Sequence, residues 1–338
     1  MTRATDETSK AGAGAPRDGR CAYLVLGMHR SGTSAATQLL ALAGADLPAN
    51  VMPGDEHNAK GYFEPWKIAQ FNNRRLRAAG SAWDDVFAFP CPALDPVTEA
   101  GWRAEAVEVF HEEFGAARHP LMKDPRATVL LPLWRGVLDE LGVAARCVIP
   151  VRHPLAVAAS LARRDRFPVE KSVLLWCAYM LAAEAYTRDL PRAFVSYDAL
   201  LADWRSEVAR IESAHGAPLP GLDAAAAAQI DGFLTPELRH NKGLGDLATT
   251  PKVGALAAAV LDWFETAARD GGADSSGLDA AAAEMARLKA EMGVFVSPVT
   301  RDLDETRSAL LDLSQLQDYQ QCRLRRAEAI LDGILGEA

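Results

Sequence analysis

The chain has 338 residues, 49% of them hydrophobic and 24% charged, enough to bury a large core in one big α/β domain or two smaller ones. Its formal net charge of −9 argues against general binding to nucleic acid or an anionic membrane surface, since both need a positive face. Five cysteines at wide, irregular spacing give neither a disulfide framework nor a metal pattern, and Cys21, Cys147 and Cys177 sit in apolar runs, as buried thiols of a reducing compartment do.

Residues 1–20 are polar, without the apolar centre of a signal peptide, and are expected to form a disordered arm. No apolar run approaches the roughly 20 residues of a membrane span, so a cytoplasmic protein is expected. The apolar run 22–27 predicts a buried parallel strand, followed by a tight turn and a helix over 33–44. Residues 48–64 and 81–97, with several Pro, Gly and Asp, read as loops around a helix at 65–79. Further on come a helix at 99–114, a strand at 119–123, a helix at 128–141 and a strand at 145–151. Helices at 154–165 and 169–188 lead to a strand at 193–197 and a helix at 198–214. Strands alternating with helices predict an α/β fold, a parallel sheet flanked by helices on both faces. With few strands and many helices, the two loops and the helix at 169–188 are expected to wall an acceptor pocket.

Beyond about Asp270 the sequence turns rich in Ala, Leu, Glu and Arg, and helices are predicted at 276–292 and 300–336. Leu303, Thr306, Leu310, Leu313, Gln317, Gln320, Leu324, Ala327, Leu331 and Ile334 follow alternating steps of three and four, a heptad with a polar middle. The pattern suits a homodimerising coiled coil and equally a helix packed on its own domain; the sequence leaves both open. The chain thus divides into an arm (1–20), an α/β domain (21–270) and a helical C-terminal extension (271–338).

Ligands of open α/β sheets bind at the carboxyl ends of the strands. Three charged clusters are predicted there: the loop Gly27–Ser34, Lys123-Asp124-Pro125-Arg126, and Arg152-His153-Pro154. Gly27 and Gly32 have the spacing of a Walker A loop, yet Thr33 stands where a nucleoside-triphosphatase needs its lysine. The loop is built for phosphate, but not in the manner of an ATPase. An ordinary strand-to-helix turn with Ser or Thr as N-cap is the competing reading. Two glycines, three hydroxyls and an arginine in eight residues weigh against it. Arg152, followed by Pro154 at a helix start and by Ser160 eight positions on, reads as an anion ligand rather than a surface ion-pair partner. The basic island Arg146, Arg152, His153, Arg163, Arg164 and Arg166 on an acidic chain suits a small anionic ligand better than a polymer.

Together these segments resemble the sulfotransferases that use 3′-phosphoadenosine 5′-phosphosulfate, most of all their bacterial members. Arg30-Ser31-Gly32-Thr33-Ser34 is similar to the family's 5′-phosphosulfate loop, and Arg152 with Ser160 to the pair that holds the 3′-phosphate. Ser196-Tyr197-Asp198-Ala199-Leu200 resembles an element whose tyrosine lies near the nucleotide. Lys123-Asp124-Pro125 is similar to a segment whose lysine faces the sulfuryl group in the tyrosylprotein branch. The resemblance spans roughly residues 20–245. It implies the sulfotransferase fold, a P-loop NTPase-like parallel sheet flanked by helices, with an α-helical tail added. It also implies transfer of a sulfuryl group from 3′-phosphoadenosine 5′-phosphosulfate to an acceptor hydroxyl of a small molecule or glycan. No metal is expected, because a sulfuryl group carries less charge than a phosphoryl group and side-chain cations suffice.

Glu64, closing Lys60-Gly61-Tyr62-Phe63-Glu64, is the first candidate for the general base, because glycan and tyrosylprotein branches place a glutamate a few tens of residues after the loop. Glu56 and His57 are rivals, His29 lies in the loop, and Glu64 could instead cap the helix after Pro65. Lys123 is expected to neutralise charge on the sulfuryl or bridging oxygen, against the alternative of a salt bridge to Asp124. The segment Asn241–Asp246 is weakly similar to the family's clamp over the 3′-phosphate and lacks its arginine. Two other readings stay open: a degenerate P-loop kinase with Asp124 holding magnesium, and a non-catalytic nucleotide-binding scaffold.

Overall fold

The computed structural model describes residues 19–52, 61–235, 245–272 and 274–336. Most of the arm, with Glu56, His57, Lys60 and Asn241–Leu244, lies outside the described residues. Among the described residues four strands form one parallel sheet: β1 (Cys21–Val25), β2 (Leu121–Lys123), β3 (Ala144–Val151) and β4 (Arg192–Ser196), in the order β2-β1-β3-β4. In register, Leu24 lies beside Met122 on one side and Cys147 on the other, and Cys147 lies beside Arg192. The chain leaves β1 first for one neighbour and later returns for the other, which makes the carboxyl ends of β1 and β3 the switch point where a ligand crevice opens.

Each strand is apolar on both faces, as a sheet covered on both sides requires. Ala22, Leu24, Cys147, Ile149 and Phe194 point into one buried cluster; Tyr23, Val25, Val148, Ala193 and Val195 point into the other. The helices follow the strands in turn: α1 (Thr33–Leu42), α2 (Trp66–Ala78), α3 (Pro96–Phe114), α4 (Pro125–Val129), α5 (Leu131–Glu140), α6 (Pro154–Asp165) and α7 (Val169–Ala185). After β4 come α8 (Tyr197–Ala202), α9 (Trp204–His215), α10 (Ala224–Phe233), α11 (Gly254–Asp270) and α12 (Ser276–Gly336). The smaller cluster is closed by α1, α8, α9 and α10, and the larger by α2, α3, α5, α6, α7 and α11. The first turns of α12 add Leu278, Ala281 and Met285 to that larger core.

Several elements differ from expectation for local reasons. The pattern at 128–141 is two helices that meet at Leu130, with Pro132 in the first turn of α5. The pattern at 198–214 breaks at Asp203, whose carboxylate accepts from the Ser206 N–H and caps α9. Asp95 caps α3 by accepting from Val97 and Thr98, starting that helix at Pro96. The single helix α12 runs through Pro298, where the sequence suggested an interruption. The helix at 169–185 is a core helix, buried on every side from Leu175 to Glu184, and its Tyr179 ring lies 6.3 Å from that of His29 in the loop. A helix apolar all round belongs inside.

Candidate active site

The chain leaves β1 through Leu26, whose N–H still donates to the Val148 carbonyl at 3.0 Å. Gly27 (φ 126°), Arg30 (φ 68°) and Gly32 (φ 91°) then turn it into α1, and the Ser31 N–H closes the turn on the Met28 carbonyl at 3.2 Å. Such a turn folds successive N–H groups into a concavity suited to an anion. Gly32 is itself the N-cap of α1, with no side-chain cap, so neither a Ser nor a Thr caps the helix as the competing reading required. The positive end of α1 therefore opens on the loop. A Cβ at Gly32 would stand 2.3 Å from Cδ2 of Tyr197, so the loop and the residue after β4 fit only while position 32 is glycine.

Arg30 adopts a left-handed backbone that costs a non-glycine residue about 1 kcal/mol. Both of its ends are held: its Nε donates to Ser160 Oγ at 2.8 Å, and its carbonyl accepts from Arg152 Nη1 at 2.8 Å. The Arg152 guanidinium in turn lies 4.4 Å from the centre of the Tyr197 ring. Arg30 and Gly32 after β1, Arg152 after β3, Ser160 of α6 and Tyr197 at the start of α8 thus meet at the switch point. Burial, and then Arg164, Arg152 and Arg163 nearby, lower the pKa of Arg30 from its usual value. Thr33 is buried at the first position of α1, and its carbonyl accepts from the Thr37 hydroxyl. Ser34 Oγ donates to the Tyr62 carbonyl at 3.4 Å. Ser31 Oγ and His29 Nε2 are buried without a hydrogen-bond partner, polar atoms that a bound anion or hydroxyl would satisfy.

Below the loop runs a buried chain of alternating charge. Lys123, at the end of β2, donates to Glu64 Oε1 at 2.7 Å and to the Tyr62 carbonyl at 2.9 Å. Arg126 lies 3.5 Å from Glu64 Oε2 and donates to Asp124 Oδ1 at 2.7 Å. Asn72 of α2 donates to Asp124 Oδ2 at 2.7 Å and accepts from the Trp134 indole at 2.9 Å. The partner of Lys123 is therefore Glu64, not Asp124, and Glu64 makes no cap to α2. Asp124 has both oxygens engaged, one with Arg126 and the other with Asn72. Burial alone would raise the pKa of Glu64; Lys123 and Arg126 outweigh it and hold the carboxyl below its usual range. His29 packs edge-on against Trp83, with ring centres 4.8 Å apart. Burial, then Arg126, Arg164, Lys123 and Arg30, push its pKa well below the usual imidazole value, so the ring is neutral.

Sequence reasoning missed Asn72 and Trp134 and gave Arg126 no role. Arg126 carried a signal, standing two residues after Asp124 at a strand end; Asn72 and Trp134 are internal to helices and carried none. Of the clamp-like segment, Asp246 is described, and it caps the short turn Leu247–Thr249. Among the described residues no three His, Cys, Asp or Glu side chains are grouped to hold a metal ion, and no helix is long and apolar enough to cross a membrane.

No protein-family model matches the chain, and no curated protein matches it. Similar solved structures include the sulfotransferase domain from the Synechococcus PCC 7002 olefin synthase, at 16% identity and a TM-score of 0.42, covering 75% of this chain and 98% of that one. Another is the sulfotransferase domain from the curacin biosynthetic pathway, at 12% identity and a TM-score of 0.40, covering 72% of this chain and 98% of that one.

Proposed function

We propose that the protein is a sulfotransferase that moves the sulfuryl group of 3′-phosphoadenosine 5′-phosphosulfate to an acceptor hydroxyl and releases 3′-phosphoadenosine 5′-phosphate. The observation that carries this reading is the meeting of Arg30, Ser160 and Arg152 at the switch point, around a loop that has phosphate-binding spacing but no Walker lysine. Arg30, Ser31, Thr33, Ser34 and the backbone at Gly32 receive the 5′-phosphosulfate. Arg152 and Ser160 receive the 3′-phosphate, with Tyr197 beside the nucleotide. The buried, unpartnered hydroxyl of Ser31 supports an anion there.

The acceptor oxygen bonds to sulfur as the bond from sulfur to the bridging phosphate oxygen breaks. Lys123 neutralises the charge that grows on that oxygen, and Arg30 steadies the sulfuryl group. Glu64 takes the acceptor proton, a role supported by its lowered pKa, which keeps it ionised, and by its contact with Lys123. The acceptor is a small molecule or a glycan hydroxyl. Thermal-shift titration against 3′-phosphoadenosine 5′-phosphate, ATP and GTP tests the reading, because a ligand of the native state raises its apparent stability. Selective stabilisation by the first is expected, and equal or greater stabilisation by ATP with magnesium would overturn it in favour of a kinase.

A further inference from the structure

Among its described residues, α12 meets the rest of the protein along one side. Met285 is buried, Lys289 Nζ donates to the Pro90 carbonyl at 2.6 Å, and Thr300 and Asp304 are buried, Asp304 accepting from Arg77 Nε at 2.7 Å. Adjoining it, and sharing the line of the helix on which Met285 and Leu303 both stand, a strip carries Met292 (47% exposed), Phe295 (69%), Val299 (66%), Leu303 (43%), Leu310 (60%) and Leu313 (61%). At 100° per residue these six side chains fall within an arc of about 80°, along roughly 30 Å of helix. A solvated face is normally polar, and a continuous apolar stripe of this length marks a surface that is covered in the working protein.

We propose that the stripe is covered by a second copy of the same chain, the two α12 helices forming a two-stranded coiled coil. From Leu303 the spacing alternates three and four in the sequence to Ile334 without a break in phase, the repeat of a coiled-coil seam. The pattern is also self-complementary. Leu303 and Leu310 precede Gln317 at intervals of seven, and Leu324 and Leu331 follow it at the same interval. Apolar layers therefore meet apolar layers, and glutamine meets glutamine, whether the two helices run parallel or antiparallel. A two-fold pairing of identical surfaces demands this. The chain's own arm cannot serve instead, since residues 1–18 contain Met1 as their one large apolar side chain.

Sedimentation equilibrium of the full chain between 1 and 100 µM tests the proposal. The expected mass is twice the 36.3 kDa of one chain. The double variant L310E/L313E, whose two positions are exposed in the single chain, is expected to sediment as a monomer, with association weakened at least 100-fold and the near-ultraviolet spectrum unchanged. V294E, on an exposed position off the stripe, is expected to remain dimeric. A monomeric wild type at 100 µM overturns the proposal, and so does a dimer that L310E/L313E leaves intact.

Discussion

Arg152 holds two partners at once, the Arg30 carbonyl and the face of Tyr197, and so stands where its loss is read directly in nucleotide binding. Charge-assisted hydrogen bonds contribute about 1.5–3 kcal/mol, so Arg152→Ala is expected to weaken binding of 3′-phosphoadenosine 5′-phosphate by about 10- to 100-fold. Isothermal calorimetry measures it, and unchanged affinity removes Arg152 from the site. His29 makes a different kind of prediction. Its folded-state pKa lies well below that of the free side chain, about 6.5. Between those two values the unfolded chain binds a proton that the folded chain does not, so the stability contributed by the neutral ring is full above about pH 6.5 and is lost as pH falls towards the folded pKa. His119, His153 and His215 are shifted the same way and share in that loss. Melting temperatures of wild type and His29→Asn between pH 7.5 and 5 are expected to show a shallower acid decline in the variant.

Among the elements, α7 is the post on which the larger core is built, and its C-terminal end is tied by one carboxylate. Glu184 is buried and accepts from Arg188 Nη2 at 2.8 Å, Arg192 Nη2 at 3.2 Å and Ser275 Oγ at 2.8 Å, joining α7, β4 and the approach to α12. Arg188, 40% exposed, keeps its bond to Asp279, so the loss is that of hydrogen bonds to one buried carboxylate, and Glu184→Ala is expected to cost about 1.5–3 kcal/mol in urea unfolding. At this scale most of the architecture was legible. All four strands were placed within a few residues, because short apolar runs next to Gly or charged turns have few other meanings. The helix α10 was not assigned, since the run Ala224–Ala228 has no apolar period to read, and α11 was missed although Ala257, Val260, Leu261, Phe264 and Ala268 follow a helical period.

In the whole molecule the site joins two layers of different legibility. The loop, Arg152, Ser160 and Lys123 were readable, since anion chemistry at strand ends calls for those residue types at those places. Asn72 and Trp134 were not, because only packing brings α2 and α5 together beneath β2. Within the floor they support, Lys123, Glu64, Arg126 and Asp124 alternate in sign and sum to zero. On the proposed function, the floor positions a polyanionic donor without attracting it, and capture falls to the half-exposed rim of Arg30 and Arg152, on a chain whose total charge of −9 repels such a donor at a distance. Raising salt from 50 to 500 mM shortens the Debye length to a few ångströms, and screens rim and repulsion while leaving buried pairs nearly untouched. Affinity for 3′-phosphoadenosine 5′-phosphate is accordingly expected to fall severalfold over that range, measured by calorimetry, with the melting temperature of the unliganded protein changing little. Recruitment of the donor and its alignment are thus separable quantities in this protein, one tunable by the ionic medium and the other fixed when the chain folds.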